Sequence, residues 1–203
     1  MLKKCLCAVL LAFVTHGFCA NPYSNTPGYT SGAGQTQQAD ESGSVSVDAG
    51  VGVSWVFWTF DDTSHRAAAL TPQIGLSYAV NDVVAPRLFI KYASAEDGDA
   101  RLDAWGFGFG SRFWLPIEGE LIPFLGGYLR YDDLSSNQAG NLKGAFGVSG
   151  EAGVGYWINN SLTLTISLSG DTALVKGKAT LNDHDADISL SALCLGAGLN
   201  ARF

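Results

Sequence analysis

Few residues in this 203-residue chain are of types that do chemistry. His184 stands shortly before Ser189 and Ser191, and Glu151 supplies a carboxylate, so the components of a nucleophile, a base and an acid are present. Such a set works only where the base reaches the hydroxyl within hydrogen-bond distance. His184 sits in the polar stretch Asn-Asp-His-Asp-Ala-Asp, and Ala186 occupies the place where a His-x-Ser pair would need its serine. A solvated loop histidine is the expectation, and no catalytic residue is assigned. A second set is acidic: Asp61, Asp62, Glu96, Asp97, Asp99, Asp132, Asp133, Asp183, Asp185 and Asp187 fall in polar stretches. Hard cations take oxygen ligands, so these carboxylates suit Mg²⁺ or Ca²⁺ shared with phosphates. Solvation of loops accounts for them equally, and no metal site is assigned. Asp132, Asp133, Asp183 and Asp185 are singled out as surface-loop binding candidates. The sequence contains no Gly-rich phosphate loop, Cys/His cluster or nucleophile elbow, so no cofactor is expected.

A third set is distributed along the chain. Asp48, Arg87, Lys91, Arg112, Arg130, Glu151 and Asp171 recur among Gly, Ser and Thr, each on the face of an alternating segment opposite its apolar residues. Charges of both signs on one face suit a lumen of hydrogen-bonded ion pairs behind an apolar wall. A water-soluble barrel of the lipocalin type, apolar inside, would need a more charged outer face.

The alternation that positions these residues is period 2, the signature of β-strands. Val45, Val47, Ala49, Val51, Val53, Trp55 and Phe57 alternate with Ser44, Ser46, Asp48, Gly50, Gly52 and Ser54. A second strand carries Leu70, Ile74, Leu76, Tyr78 and Val80; Asn81-Asp82 then turns into a third with Leu88, Ile90 and Tyr92. The fourth is Trp105-Gly-Phe107-Gly-Phe109-Gly, and the fifth holds Leu121, Leu125, Leu129 and Tyr131, with Ile122, Phe124 and Tyr128 opposite. The sixth carries Phe146, Val148, Ala152, Val154 and Tyr156. Asn159-Asn160 leads into the seventh, Leu162, Leu164, Ile166 and Leu168, and the eighth ends at Phe203. Pro72, inside the second strand, predicts a bulge because proline cannot donate in a ladder.

Connections alternate in length. Short turns are expected at 81–82, 116–120 and 159–160, longer or more polar ones at 61–65, 94–100, 132–142 and 175–187. Aromatics gather at strand ends: Trp55, Trp58 and Phe60 at one end; Phe113, Trp114, Tyr156 and Trp157 at the other. Such belts suit the two interfaces of a bilayer.

Composition agrees. The chain has 25 Gly, 47% hydrophobic and only 15% charged residues. Residues 1–20, with Lys3, Lys4 and a short apolar run, read as a signal peptide too short to span a bilayer. Residues 21–42, rich in Gly, Ser, Thr, Asn, Gln and Pro, read as a flexible leader. Loss of Lys3 and Lys4 leaves 10 basic against 19 acidic residues, and nucleic acid is not an expected partner. Three of the four cysteines lie in or beside the presequence; Cys194 reads as a small residue on a wall strand.

In lipid only helices and closed sheets satisfy their backbone hydrogen bonds, and no later segment is a hydrophobic helix. Residues 43–203 therefore read as an all-β, eight-stranded antiparallel up-and-down transmembrane β-barrel. The final run Leu193, Leu195, Ala197, Leu199, Ala201, Phe203 resembles the assembly signal of bacterial outer-membrane barrels, here carried by Leu195, Leu199 and Phe203. In strand number, turn asymmetry and terminal Phe the region resembles small outer-membrane barrels of the OmpA transmembrane-domain, OmpX and opacity type. That resemblance implies residence in the bacterial outer membrane with both termini periplasmic. It implies contact with outer-membrane lipid and lipopolysaccharide, delivery by the barrel-assembly machinery, and a host or surface ligand at the loops. The function it implies is adhesion, host or surface interaction, or envelope integrity. The alternatives are a narrow polar channel through the lumen and, third, modification of lipid A, which some eight-stranded barrels perform.

Overall fold

The computed structural model describes residues 43–60, 63–115, 117, 121–137, 142, 144–181 and 184–203. The signal peptide and leader read at 1–20 and 21–42, and Asp61, Asp62 and Asp183, lie outside them. Nine strands follow in order: β1 (Val45–Phe60), β2 (Thr63–Tyr78), β3 (Val84–Asp97), β4 (Ala100–Trp114), β5 (Leu121–Ser136), β6 (Ala145–Asn159), β7 (Leu162–Val175), β8 (Gly177–Leu181) and β9 (His184–Arg202). From β1 to β7 each strand pairs antiparallel with the next, β7 pairs with β9, and β9 returns to β1, closing the sheet. β8 pairs only with β9 and continues the stave begun by β7, so the barrel has eight staves.

The stagger of the barrel follows from its register. Stepping through paired residues from Ser46 to Ser77, Arg87, Gly110, Tyr128, Ser149, Asp171 and Ala192 returns to β1 at Val56, ten residues further along. A stagger of that size tilts the strands strongly, roughly 35–45°, and leaves an interior that side chains can fill. Local chemistry sets the turns at one end. Asn81 Oδ1 accepts from the backbone N–H of Val83 (2.9 Å) and Val84 (2.7 Å), and Asn159 Oδ1 accepts from Ser161 (2.9 Å).

Glycines on the inner face let rings lie flat against the wall. A Cβ on Gly108 would collide with the Phe89 ring, and one on Gly153 would meet Phe124 at 2.6 Å. Aromatic cover of bare glycine backbone is a device of curved sheets.

At the other end the strands outrun expectation. β3 runs to Asp97 and β4 starts at Ala100, so Gly98 (φ 60°) and Asp99 are the whole turn. β5 reaches Ser136, and β8 and β9 occupy much of 175–187. The Pro72 bulge is absent, since β1 and β2 keep one register through Val51↔Pro72. Instead the β2–β3 ladder stops just below it, at Gln73↔Lys91, after five pairs. A proline that cannot donate ends that pairing rather than bending the strand.

Candidate functional site: the barrel interior and its outer end

All seven residues expected on the polar face are in the interior, in two tiers. In the first, Arg87 pairs with Asp48 through Nε (2.9 Å) and Nη2, and lies 3.6 Å from Glu151. Arg112 donates to Glu151 at 3.0 Å, and Tyr128 Oη donates to the same carboxylate at 2.8 Å. The guanidiniums also stack: Arg87 lies 5.0 Å from the Phe89 centroid and Arg112 4.3 Å from that of Phe124. In the second tier Asp171 takes both Lys91 and Arg130, the latter at 2.7 Å, and Arg130 lies 2.7 Å from Asp132. Four cations face four carboxylates here, each 7% exposed or less in its side chain except Lys91. Buried ions persist only when paired in this way.

These partners come from distant parts of the chain. Asp171 reaches β5 and β3 because alternation turns it inward and the stagger brings its row level with theirs. Arg112 Nε, Arg130 Nε and Asp171 Oδ1 have no partner among the described residues, and the Arg130 Nη2–Asp132 Oδ2 approach is out of line for a hydrogen bond. Two cavities of about 20 Å³ adjoin the tiers, one between them and one beside Arg112. One is lined by Lys91, Glu151, Ser167, Ser169 and Cys194, the other by Arg112, Trp114, Thr163 and Asn200. Each has space for about one water molecule.

Above the second tier the interior changes character. Val56, Trp58, Phe60, Leu102, Leu134, Ile188 and Leu190, with Ala69, Ala95, Ala100, Ala104 and Ala145, form one buried apolar cluster. Trp58 and Phe60, expected in an outer aromatic belt, are 3% and 7% exposed and belong to this layer, because alternation from Trp55 turns them inward. Trp114, placed in the inner belt by sequence, packs inside on Phe124, centroids 4.9 Å apart. Of the expected belts, Trp55, Phe113 and Tyr156 stay on the outer face, each 40–46% exposed, whereas Trp157 alternates inward from Tyr156 and packs under Arg202, 4.4 Å from its ring centroid.

One surface-loop candidate is corrected. Asp132 is 2% exposed: β5 continues to Ser136, and its alternation points Asp132 inward beside Arg130. Asp133 is exposed on the outer face, and Asp185 lies on β9 opposite Thr180. Glu151 is held by Arg112 inside the barrel, whereas Ser189 and Ser191 alternate with the buried Ile188 and Leu190 and so face outward. The wall separates that acid from those hydroxyls. Leu195 and Phe203 lie on the outer face, 52% and 67% exposed, with Leu199 between them on the same face. The Phe203 N–H donates to the Val45 carbonyl at 2.9 Å, extending the closing seam to the last residue.

The outer wall is apolar through most of its length. Val51, Val53, Leu70, Leu76, Leu88, Phe109, Leu125, Leu129, Ile166, Leu168 and Leu195 are each 46–66% exposed. A closed sheet, a lipid-facing wall and an ion-paired interior define a transmembrane β-barrel. No family model and no curated protein matches the chain. Solved structures do. Neisserial surface protein A is 16% identical with a TM-score of 0.63, over 79% of this chain and 99% of that one. A major outer membrane protein from Thermus thermophilus is 11% identical, TM-score 0.51, over 80% and 100%. OprG of Pseudomonas aeruginosa is 13% identical, TM-score 0.50, over 79% and 96%. The protein has the fold of the small eight-stranded outer-membrane barrels.

Proposed function

We propose that this protein resides in the bacterial outer membrane with both termini periplasmic, as a structural wall whose exposed outer end serves adhesion, host or surface contact, or envelope integrity. The observation that carries the reading is the filled interior. Two tiers of ion pairs occupy the lumen, and an apolar layer led by Trp58, Leu102 and Ile188 lies across the outer end of the same lumen. A solute would have to break buried pairs and then cross that layer, which disfavours a polar passage. What remains for function is the outer end, where Glu96, Asp99 and Asp133 are exposed and Asp97 is partly so. Lipid, lipopolysaccharide and an assembly machinery that reads Leu195, Leu199 and Phe203 are the partners this reading requires.

Two measurements test it. In planar bilayers the purified barrel should show no steady conductance. Removal of 137–142, sparing β5, should leave heat-modifiable migration intact while lowering attachment of expressing cells to host cells or matrix. Steady, ion-selective conductance that changes in Glu151→Gln would replace this reading with a channel.

A further inference from the structure

A closed barrel has no sheet edge, yet this one regains edges at its outer end. There β1 and β2 stay paired to Phe60↔Thr63, and β1 and β9 to Phe60↔Ile188, as one sheet. β3 and β4 stay paired to Asp97↔Ala100, and β4 and β5 to Leu102↔Ser136, as another. Between the two sheets the β2–β3 ladder has already ended at Gln73↔Lys91, although both strands run on, to Thr63 and to Asp97. Each therefore has one edge without a ladder partner. Ala68 stands opposite Trp55 and Arg66 opposite Phe57, the last apolar residues outside on β1, so the gap opens to water from that level outward.

Parity says which backbone groups line the gap. The nitrogen of Pro72 is turned toward β3, and Leu70, Ala68 and Arg66 share its parity on β2, so their N–H and C=O groups turn the same way. Arg66 shows it directly, since its N–H reaches across to the Asp97 carboxylate at 3.3 Å. Carried outward, the register of Gln73↔Lys91 would set Leu70 opposite Ser94 and Ala68 opposite Glu96, and neither pair forms. A side chain thus stands where a strand would bond. Asp97 also lies 3.3 Å from His65 Nδ1, and His65 stacks on Trp58 with ring centroids 5.3 Å apart, which holds this end of β2 against β1. The residues beside the gap are small: Ala67, Ala69, Ala93 and Ala95 inside, where they border the apolar layer, and Ala68 and Ser94 outside.

We infer that this edge of β2 docks an extended peptide segment of another protein, which adds as a strand in the gap, displaces the Asp97 carboxylate and bonds to Arg66, Ala68 and Leu70. Strand addition takes its affinity from main-chain hydrogen bonds and its specificity from alternate side chains. One face of the added strand meets the apolar layer between the alanines, so every second residue of the segment is apolar. The other face turns outward beside Glu96, with Asp99, Asp103 and Asp133 on the same side of the outer end. The guanidiniums there are those of Arg66 and Arg101, and Arg101 is taken up by Glu96 and Asp103. Charge complementarity therefore makes the outward residues of the segment basic. The inference deepens the contact proposed for the outer end and rests on that reading.

The test folds the full chain into phosphatidylcholine nanodiscs and titrates the synthetic peptide Lys-Val-Lys-Val-Lys-Val-Lys, with binding read by fluorescence anisotropy and occupancy of the edge by amide exchange. Heat-modifiable migration reports folding separately: a chain that does not fold in lipid overturns the membrane reading and this inference with it, whereas a folded barrel that fails below overturns the inference alone. Bound peptide should slow exchange at Arg66, Ala68 and Leu70. Ala68→Pro removes an edge donor only, just as Pro72 leaves the β1–β2 register intact, and should weaken binding about tenfold; Ala68→Ser, which keeps the N–H, should bind as wild type does. A peptide with Glu for Lys, and one with the same residues in two blocks instead of alternating, should each bind wild type about tenfold more weakly. Unslowed exchange at the three amides with peptide bound, Ala68→Pro binding as tightly as wild type, or equal binding of the three peptides would each overturn the inference. The exchange result decides even where Ala68→Pro does not fold.

Discussion

The two ends of β1 obey opposite rules. Toward its start, Asp48, Gly50, Gly52 and Ser54 point inward while Val47, Val51, Val53 and Trp55 point outward; toward its end, Val56, Trp58 and Phe60 point inward, Phe57 is the last apolar residue outside, and Thr59 follows it outward. β5 and β9 repeat the change. β5 puts Tyr128, Arg130 and Asp132 inside with Leu129 and Tyr131 outside, then Leu134 inside with Asp133 and Ser135 outside. β9 passes from Asn200 inside and Leu195 outside to Ile188 inside and Ser189 outside. The backbone does not change between these halves; the medium outside does. Against hydrocarbon the wall must be apolar outside, and the interior takes the polar groups. Against water the ordinary arrangement returns, and the same barrel buries an apolar core. The apolar layer therefore marks the level at which the barrel leaves the lipid.

The largest losses are expected inside the charged half. Asp171→Ala removes the shared partner of Lys91 and Arg130 and should cost roughly 3–5 kcal/mol, measured by urea unfolding in lipid vesicles. A loss near zero would mean that water already satisfies those cations and that the tiers are not the core of the lipid-embedded half. In the apolar half, Ile188→Ala opens a cavity beside Trp58 and Leu190 and should cost about 2–5 kcal/mol by the same assay. If it costs nothing, the outer end is not packed.

A smaller effect sharpens the boundary. Above Gln73↔Lys91 the β2–β3 seam has no ladder, and near its end Asp97 of β3 reaches the Arg66 N–H and His65 Nδ1, each at 3.3 Å. Amides between Tyr92 and Ala95 that turn toward β2 should exchange with deuterium faster than those that turn toward β4. Asp97→Ala should speed them further while costing under about 1 kcal/mol.

Much of this was legible in the chain. Alternation identified the eight staves and the face carrying Asp48, Arg87, Lys91, Arg112, Arg130, Glu151 and Asp171, because a period of two has only two faces to offer. It was silent on which charge meets which, since the pairing of Arg130 with Asp171 depends on the ten-residue stagger and no local pattern encodes that. The reversal between the halves is written in the sequence but hidden by residue type. Trp58 and Phe60 look like belt aromatics by type, and only strict counting from Trp55 turns them inward. Asp132 misled in the same way, as an acid next to Asp133 suggests a loop although its parity with Arg130 places it inside. The register slip between Gly147↔Ala173 and Phe146↔Val175 has no local signature, because a bulge shows only against the strands beside it.

The reversal itself is tested most directly on one face of one strand. Leu125 and Ser135 both point outward from β5, Leu125 52% exposed in the apolar band and Ser135 exposed beyond it. Unfolding of Leu125→Arg and Ser135→Arg in lipid vesicles should show a loss of roughly 2–4 kcal/mol for the first, as for a lipid-facing arginine near mid-depth, and within about 0.5 kcal/mol of wild type for the second. Equal costs at the two positions would contradict the account, since the outer face would then meet one medium along its whole length.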